Sequence, residues 1–306
     1  MLQGDTDMQD KKYAIISDGS CDLPRELVEK LGVTVVPFYV SFDDKTYLRE
    51  MVDIPVRDFY QQMVDKKGVY PKSSMPSVQD YIDVFKPVVE RGEAVICICI
   101  TTKFSGSYQS AMNAKAMVQE ECPEAEITVI NSMVDTVLQG IYVLEAVKMQ
   151  QQGVPYENAV KRLDEIKSTG RIFFTVGDFE YLRHGGRIGK LAGVAVSILG
   201  IKPLITLKDG EIYPSGITRS RKKSMTMVIN LLLDYLKEAD NCIENYHICV
   251  GFGYDEPEAE EFREKLVQTL TEKGFVVPDI QIYQIGATIG VHTGPYPLGI
   301  GIIEKA

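Results

Sequence analysis

Histidine is scarce in this 306-residue chain, with only His184, His247 and His292. The six cysteines include no Cys-x-x-Cys pair beside a histidine, so no zinc site and no other metal is expected. They read as reduced thiols used as small buried hydrophobes, as where Cys97 and Cys99 alternate with isoleucines. Positive charge is in deficit: 33 Lys and Arg face 43 Asp and Glu, for a formal net charge of -10. A nucleic-acid binder needs a basic footprint, so no nucleic-acid partner is expected. No apolar run approaches the roughly 18 residues of a membrane span, which argues against integral membrane contact. The N-terminal MLQGDTDMQDKK lacks an apolar signal core, and the expected location is cytoplasmic.

Nucleotide and hydrolase motifs are missing too. Gly185 to Leu191, GGRIGKL, is one residue short of a P-loop and has Leu191 where a Mg²⁺-binding Ser or Thr is needed. Gly251-Phe-Gly-Tyr-Asp-Glu256 lacks the third glycine of a dinucleotide fingerprint. No serine stands in a Gly-x-Ser-x-Gly elbow. ATP, NAD and other cofactors are therefore not expected.

What remains is ordinary globular composition, 45% apolar and 25% charged, enough for one large or two medium domains. The clearest local signal runs from Val95 to Ala111. A buried apolar run, Val95 to Ile100, breaks into Thr101 to Ser107, and a helical pattern starts at Tyr108. Ligands of open α/β sheets bind at the carboxyl ends of strands, and a helix N-terminus there offers free N–H groups to an anion. The turn at Ser105, Gly106 and Ser107 is thus the first place to look for a bound acid.

Residues 1–11 read as a disordered lead-in. Strands are expected at 13–17, 33–42, 95–100 and 127–130. Helices are expected after Pro24 and at 55–66, 78–90, 108–119, 137–151 and 155–168, with a serine-rich loop at 71–77. Alternation of this kind predicts a parallel sheet wrapped on both faces. After Thr169-Gly170 the pattern changes: a Lys-Asp-Gly hairpin near 208–210 mixes with crossover helices at 222–238 and 257–273. The fold class expected is two-domain α/β, with a parallel-sheet α/β domain over 12–170 and a smaller α+β domain over 171–306.

Three constellations can carry chemistry. The hydroxyls of Ser73, Ser74, Ser105 and Ser107 can bind a carboxylate, or can serve as N-caps of the helices that follow. In Gly286 to Pro295, His292 and Thr293 add donors to a glycine-rich segment, and a histidine here is either structural or a ligand or acid–base group. Two basic islands, Arg183, His184, Arg187 and Lys190, then Arg219, Arg221, Lys222 and Lys223, are either solvated surface or docking patches for phosphate or an acidic partner.

Five segments together resemble the DegV family of fatty-acid-binding proteins: Ser17 to Pro24 (SDGSCDLP), Ser73 to Ser77 (SSMPS), Phe104 to Ala111 (FSGSYQSA), Tyr181 to Lys190 (YLRHGGRIGK), and Gly290 to Pro295 (GVHTGP) with Leu298 to Ile300. The resemblance implies a long-chain, palmitate-like acid in a tunnel between the two domains. Ser73 and Ser105 would hold its carboxylate, with Ser74, Gly106, His292 and Thr293 nearby and Arg183 and Arg187 assisting. It implies a non-catalytic carrier, the acyl-carrying subunit type of bacterial fatty acid kinase, which presents the acid to a separate kinase for acyl-phosphate formation. The chain departs from the family pattern at Gly19, Met75, Asn131 and Tyr296-Pro297. The residues also admit an enzyme, an acyl hydrolase or transferase with Ser105 as nucleophile and His292 as base. A lipid-sensing regulatory protein is a further alternative.

Overall fold

The structure, a computed structural model, describes residues 11–177, 179–193, 200–239 and 242–306. Apart from Lys11, the expected lead-in lies outside them. The first sheet is built on β1 (Tyr13–Asp18), which is followed by α1 (Arg25–Leu31) and β2 (Thr34–Val36). The expected single strand over 33–42 is corrected. Pro37 has no N–H to give a ladder, and the chain leaves the sheet to start β3 (Tyr39–Ser41) in a second, smaller sheet. β4 (Leu48–Arg49), α2 (Val56–Asp65) and β5 (Lys72–Ser74) follow, and β3 pairs antiparallel with both β4 and β5. Part of the expected serine loop is therefore an edge strand, with Ser73 opposite Val40.

α3 (Val78–Glu90) opens with a capping box in which Ser77 and Asp80 exchange hydrogen bonds. β6 (Ala94–Cys99) is buried throughout, and its β-branched and small side chains suit a central parallel strand. α4 (Ser107–Glu121), β7 (Ile127–Asn131), α5 (Thr136–Gln151) and α6 (Tyr156–Ile166) complete this half. The sheet order is β2-β1-β6-β7, all parallel. The order reverses between β1 and β6, and the carboxyl ends of those two strands lie side by side. That switch point is where an open α/β sheet receives its ligand.

The other half has β8 (Arg171–Thr175), α7 (Glu180–His184), β9 (Lys202–Lys208), β10 (Glu211–Thr218), α8 (Arg221–Glu238), β11 (Tyr246–Phe252), α9 (Glu256–Glu272), β12 (Gln281–Gln284), α10 (Ala287–Thr293) and β13 (Leu298–Glu304). The expected hairpin is present, with Asp209 and Gly210 both at positive φ between β9 and β10. The sheet order is β10-β9-β8-β13-β11-β12, antiparallel except for the β11–β12 pair. The shorter half of the chain thus carries the larger sheet.

The two sheets share one apolar core. Ile96 and Ile98 of β6 and Ile172, Ile205, Leu207 and Ile303 of the second sheet meet Leu138, Tyr142 and Leu163 of α5 and α6 in a single buried cluster. Val95, Cys97 and Cys99 face the other way, onto α3 and α4, as the period of two requires. Leu298, Ile300 and Ile302 of β13 face α8 and α9. The layers run helix, sheet, helix, sheet, helix, with α5 in the middle. A satellite core of Val40, Phe59, Tyr60, Met63, Ala287 and Val291 joins the small sheet and α2 to α10.

Candidate functional site

A cavity of about 280 Å³ opens at the switch point, between the first sheet, the small sheet and α10. Ser73, Ser74, Ser105, Gly106, Arg187, His292 and Thr293 all line it, among apolar walls from Phe38, Ile100, Phe104, Phe174 and Ile289. Seven of the eight expected residues are therefore brought together from β5, the β6–α4 turn, the segment after α7, and α10. Arg183 is the exception. Leu182, its neighbour on α7, is buried and lines the cavity, while Arg183 is exposed and pairs with Glu180 at 2.5 Å.

The β6–α4 turn is fixed from below by a residue that the sequence marks only as a member of the Ser17 to Pro24 segment. Asp18, fully buried at the end of β1, accepts from the N–H of Ile100 (2.9 Å), from Ser107 Oγ (2.7 Å), from Ser20 Oγ (2.7 Å) and from Gln139 Nε2 (2.8 Å). Burial pushes its pKa up, and these donors oppose the shift. One carboxylate thereby ties β1, β6, α4 and α5 together beneath the site. Ser105 Oγ accepts from the N–H of Ser107 (3.1 Å), so the capping reading of Ser105 holds in part, with Gly106 at the N-cap position. A Cβ on Gly106 would stand 2.8 Å from Met75 Sδ, so a larger residue there would push the exposed end of Met75 off the turn.

Ser73 is not a cap. Its Oγ lies 3.0 Å from His292 Nε2, across 219 residues of sequence. His292 sits in the last turn of α10, so the glycine-rich segment of the sequence is in part a short helix. Burial and then the nearby Arg187 charge lower its pKa to about 4. The ring is therefore neutral at pH 7; the Gly185 backbone beside it opposes the shift, and its buried Nδ1 meets no hydrogen bond of good geometry among the described residues. Thr293 Oγ1 donates to the carbonyl of Ile289 at 3.0 Å, so its hydroxyl hydrogen is already committed. Ser105 and His292 share no hydrogen bond; each is engaged elsewhere, with Ser107 and Ser73.

Arg187 donates to the carbonyls of Phe104 (3.1 Å) and Gly185 (2.8 Å) and forms no ion pair among the described residues. It leaves a positive charge at the cavity wall. Elsewhere in the basic islands two cations are paired and one ring is stacked. Lys190 pairs with Glu211 (2.8 Å), Arg221 with Glu258 (2.6 Å), and His184 stacks on Tyr70 at 3.7 Å.

A second cleft of about 40 Å³ continues from the cavity past Asp135, Phe174, Ile289 and Thr293, which line both. Its floor is Gly251, Gly299 and Gly301. The Gly-Ile alternation of β13 turns isoleucines toward α8 and α9 and leaves the glycine face to the cleft. Beside it, buried Asp22 and Glu50 converge on Gly286, where a Cβ would stand 2.2 and 2.3 Å from their oxygens. Glu50 accepts from the N–H of Ala287 and from Thr288 Oγ1 (2.6 Å), and Thr136 Oγ1 donates to Asp22 (2.6 Å). Burial raises the pKa of both acids, Glu50 to about 7, and the Glu50 charge raises Asp22 further. Nothing in the sequence pairs these two acids, which are brought together only by α10.

Among the described residues no group of His, Cys, Asp and Glu is arranged to hold a metal ion, and no helix is long and apolar enough to cross a membrane.

Residues 12–305 match the model of a family described as uncharacterised proteins of the DegV family. A DegV domain-containing protein of Caldanaerobacter subterraneus is 30% identical over 96% of this chain and 100% of its own length. One of Clostridium acetobutylicum is 32% identical over 94% of this chain and 95% of its own. Among solved structures, a stearic-acid-binding protein from Eubacterium ventriosum is 46% identical, with a TM-score of 0.90 over 96% of this chain and 98% of that one. A DegV family protein from Thermus thermophilus, described as binding fatty acid, is 26% identical with a TM-score of 0.83, over 96% of this chain and 99% of that one.

Proposed function

The chain belongs to the DegV family, and on that premise we propose that it is a carrier for one long-chain fatty acid. The carboxylate sits at the switch-point cavity and the tail runs into the cleft beyond it. The observation that carries this reading is the convergence of Ser73, Ser105 and His292, from three separate elements, on one cavity that also has apolar walls from Phe38, Ile100, Phe104, Phe174 and Ile289. The stearic-acid-binding relative from Eubacterium ventriosum supports it.

The hydrogen bonding suggests how the head group is held. A bound carboxylate selects the His292 tautomer with the proton on Nε2, because that tautomer alone frees the Ser73 hydroxyl hydrogen for it. Nε2–H then donates to Ser73 Oγ, and the Ser73 hydroxyl hydrogen is free for the ligand. Ser105 is placed alike: its oxygen takes the Ser107 N–H and its hydrogen remains for the acid. The α4 N-terminus and Arg187 add positive potential.

Affinity comes from the tail. At about 0.8 kcal/mol per buried CH₂, roughly fourteen methylenes contribute on the order of 11 kcal/mol as an upper bound. A short acid has no such term.

The carrier role extends to a separate cytoplasmic kinase that phosphorylates the bound acid, the chain itself supplying no catalysis. The absence of a phosphate-binding loop from the sequence supports this division of labour. A hydrolase needs a Ser105–His292 bond and an acid behind Nδ1, whereas Nε2 engages Ser73 and the group beside Nδ1 is the Gly185 backbone. Titration of delipidated protein with stearate tests the reading. It predicts saturable one-to-one binding that Ser105→Ala weakens, and absence of uptake refutes it.

A further inference from the structure

The head-group cavity and the apolar cleft share a wall, and one member of that wall has no counterpart in a plain hydrocarbon site. Asp135 lines both spaces. Its carboxyl forms no hydrogen bond or ion pair with any described residue, although it stands at the N-cap position of α5, where an aspartate ordinarily accepts from the first-turn N–H groups. The backbone there is specific: Asp135 is extended, and Thr136 follows at φ 47, a left-handed conformation rare for a β-branched residue. The neighbouring hydroxyls are committed elsewhere, Thr136 to Asp22 (2.6 Å) and Thr293 to the Ile289 carbonyl (3.0 Å). Burial alone pushes the Asp135 carboxyl up to about 7. Beyond it the cleft is walled by Val137, Ile172, Ile285, Pro297 and Leu298.

Resting on the carrier reading above, we propose that Asp135 is a specificity-determining residue whose carboxyl hydrogen-bonds a hydroxyl part-way along the acyl chain, making hydroxylated long-chain fatty acids the preferred ligand class. A plain tail lying across Asp135 removes water from the carboxyl and gives it no partner, which is costly for a buried polar group. A chain hydroxyl at that depth donates to it. Sites built to bond a ligand hydroxyl reject the analogue lacking it far more strongly than apolar pockets reject a changed methylene.

The test is competition binding on the delipidated full chain, with stearate against a series of hydroxystearates whose hydroxyl is moved along the chain. One positional isomer should bind about tenfold or more tighter than stearate, the ratio that about 1.4 kcal/mol represents. Asp135→Leu should abolish that preference while keeping or improving stearate affinity, and Asp135→Asn should retain it. Stearate binding as well as every isomer in the unaltered chain, or a preference that survives Asp135→Leu, overturns the inference. The unaltered chain decides the matter even if a variant fails to fold. Stearate binding that is sensitive to Ser105→Ala, without any isomer preference, sinks this inference alone. Failure to bind any acid sinks the carrier reading with it.

Discussion

Ser73→Ala removes the hydroxyl that links His292 to the ligand. In the empty protein the variant loses one hydrogen bond, Ser73 Oγ to His292 Nε2 at 3.0 Å. That bond opens on a cavity which water can enter, so the loss is held to about 1 kcal/mol. For a chain of this size the melting temperature should fall by roughly 1–2 °C. The bound state loses more, because a hydrogen bond to a charged carboxylate is worth about 1.5–3 kcal/mol. Stearate affinity should therefore drop roughly 10- to 150-fold. Octadecanol, with the same tail and no charge, should lose much less. The assay is displacement of a fluorescent fatty acid by each ligand from the delipidated protein. A cycle with His292→Ala adds the coupling: if the histidine acts through Ser73, the double variant should bind stearate about as well as the worse single variant. Equal losses for acid and alcohol, or strictly additive losses in the cycle, would refute the relay.

Three further outcomes follow from the same geometry. Gly185→Ala places a Cβ 2.1 Å from His292 Nδ1, so it should displace the ring and weaken acid binding, at an overpacking cost of about 1–3 kcal/mol visible in thermal melts; unchanged affinity would show that His292 takes no part. Val137→Phe puts bulk into the second cleft, and competition among acids of graded length should then favour shorter tails; an unaltered length profile would place the tail elsewhere. The pKa of Glu50 is raised to about 7 in the fold, so its contribution to stability is fully present below its unfolded value near 4.5 and is lost as pH rises through about 7. His292, lowered to about 4, acts oppositely: its contribution is present above 6.5 and is lost as pH falls through about 4. Glu50→Gln should therefore remove a downward slope in denaturant stability between pH 4.5 and 7, and an unchanged slope would contradict the raised pKa.

The parts of the fold legible in the sequence are those written in local chemistry. Val95–Cys99 followed by Ser105-Gly106-Ser107 is a β-branched run ending in a turn, and Asp209-Gly210 is a hairpin signature; both are where the sequence puts them. Lys72–Ser74 was illegible as a strand because three polar residues carry no period, and only pairing with β3 makes them one. The helix under His292 was illegible because Gly286 and Gly294 bound it, Gly290 stands inside it, and its seven residues are held by packing against α2 and α7. The cavity-lining serines and His292 carried a resemblance, so most of the candidate site was within reach. Asp18, Asp22, Glu50 and Asp135 were not, because their roles depend on partners or on a cavity brought together only by the tertiary fold. That Arg183 stands outside the cavity lining was not legible, because spacing cannot tell which side of a five-residue helix faces the cavity.

The central claim is that this chain holds a long-chain fatty acid, and mass spectrometry of the material that co-purifies with it tests that most directly. Native spectra should show one small molecule per chain, and a mild organic extract should yield a long-chain acid that exchanges for added stearate. A chain that purifies empty and takes up no stearate would contradict the account.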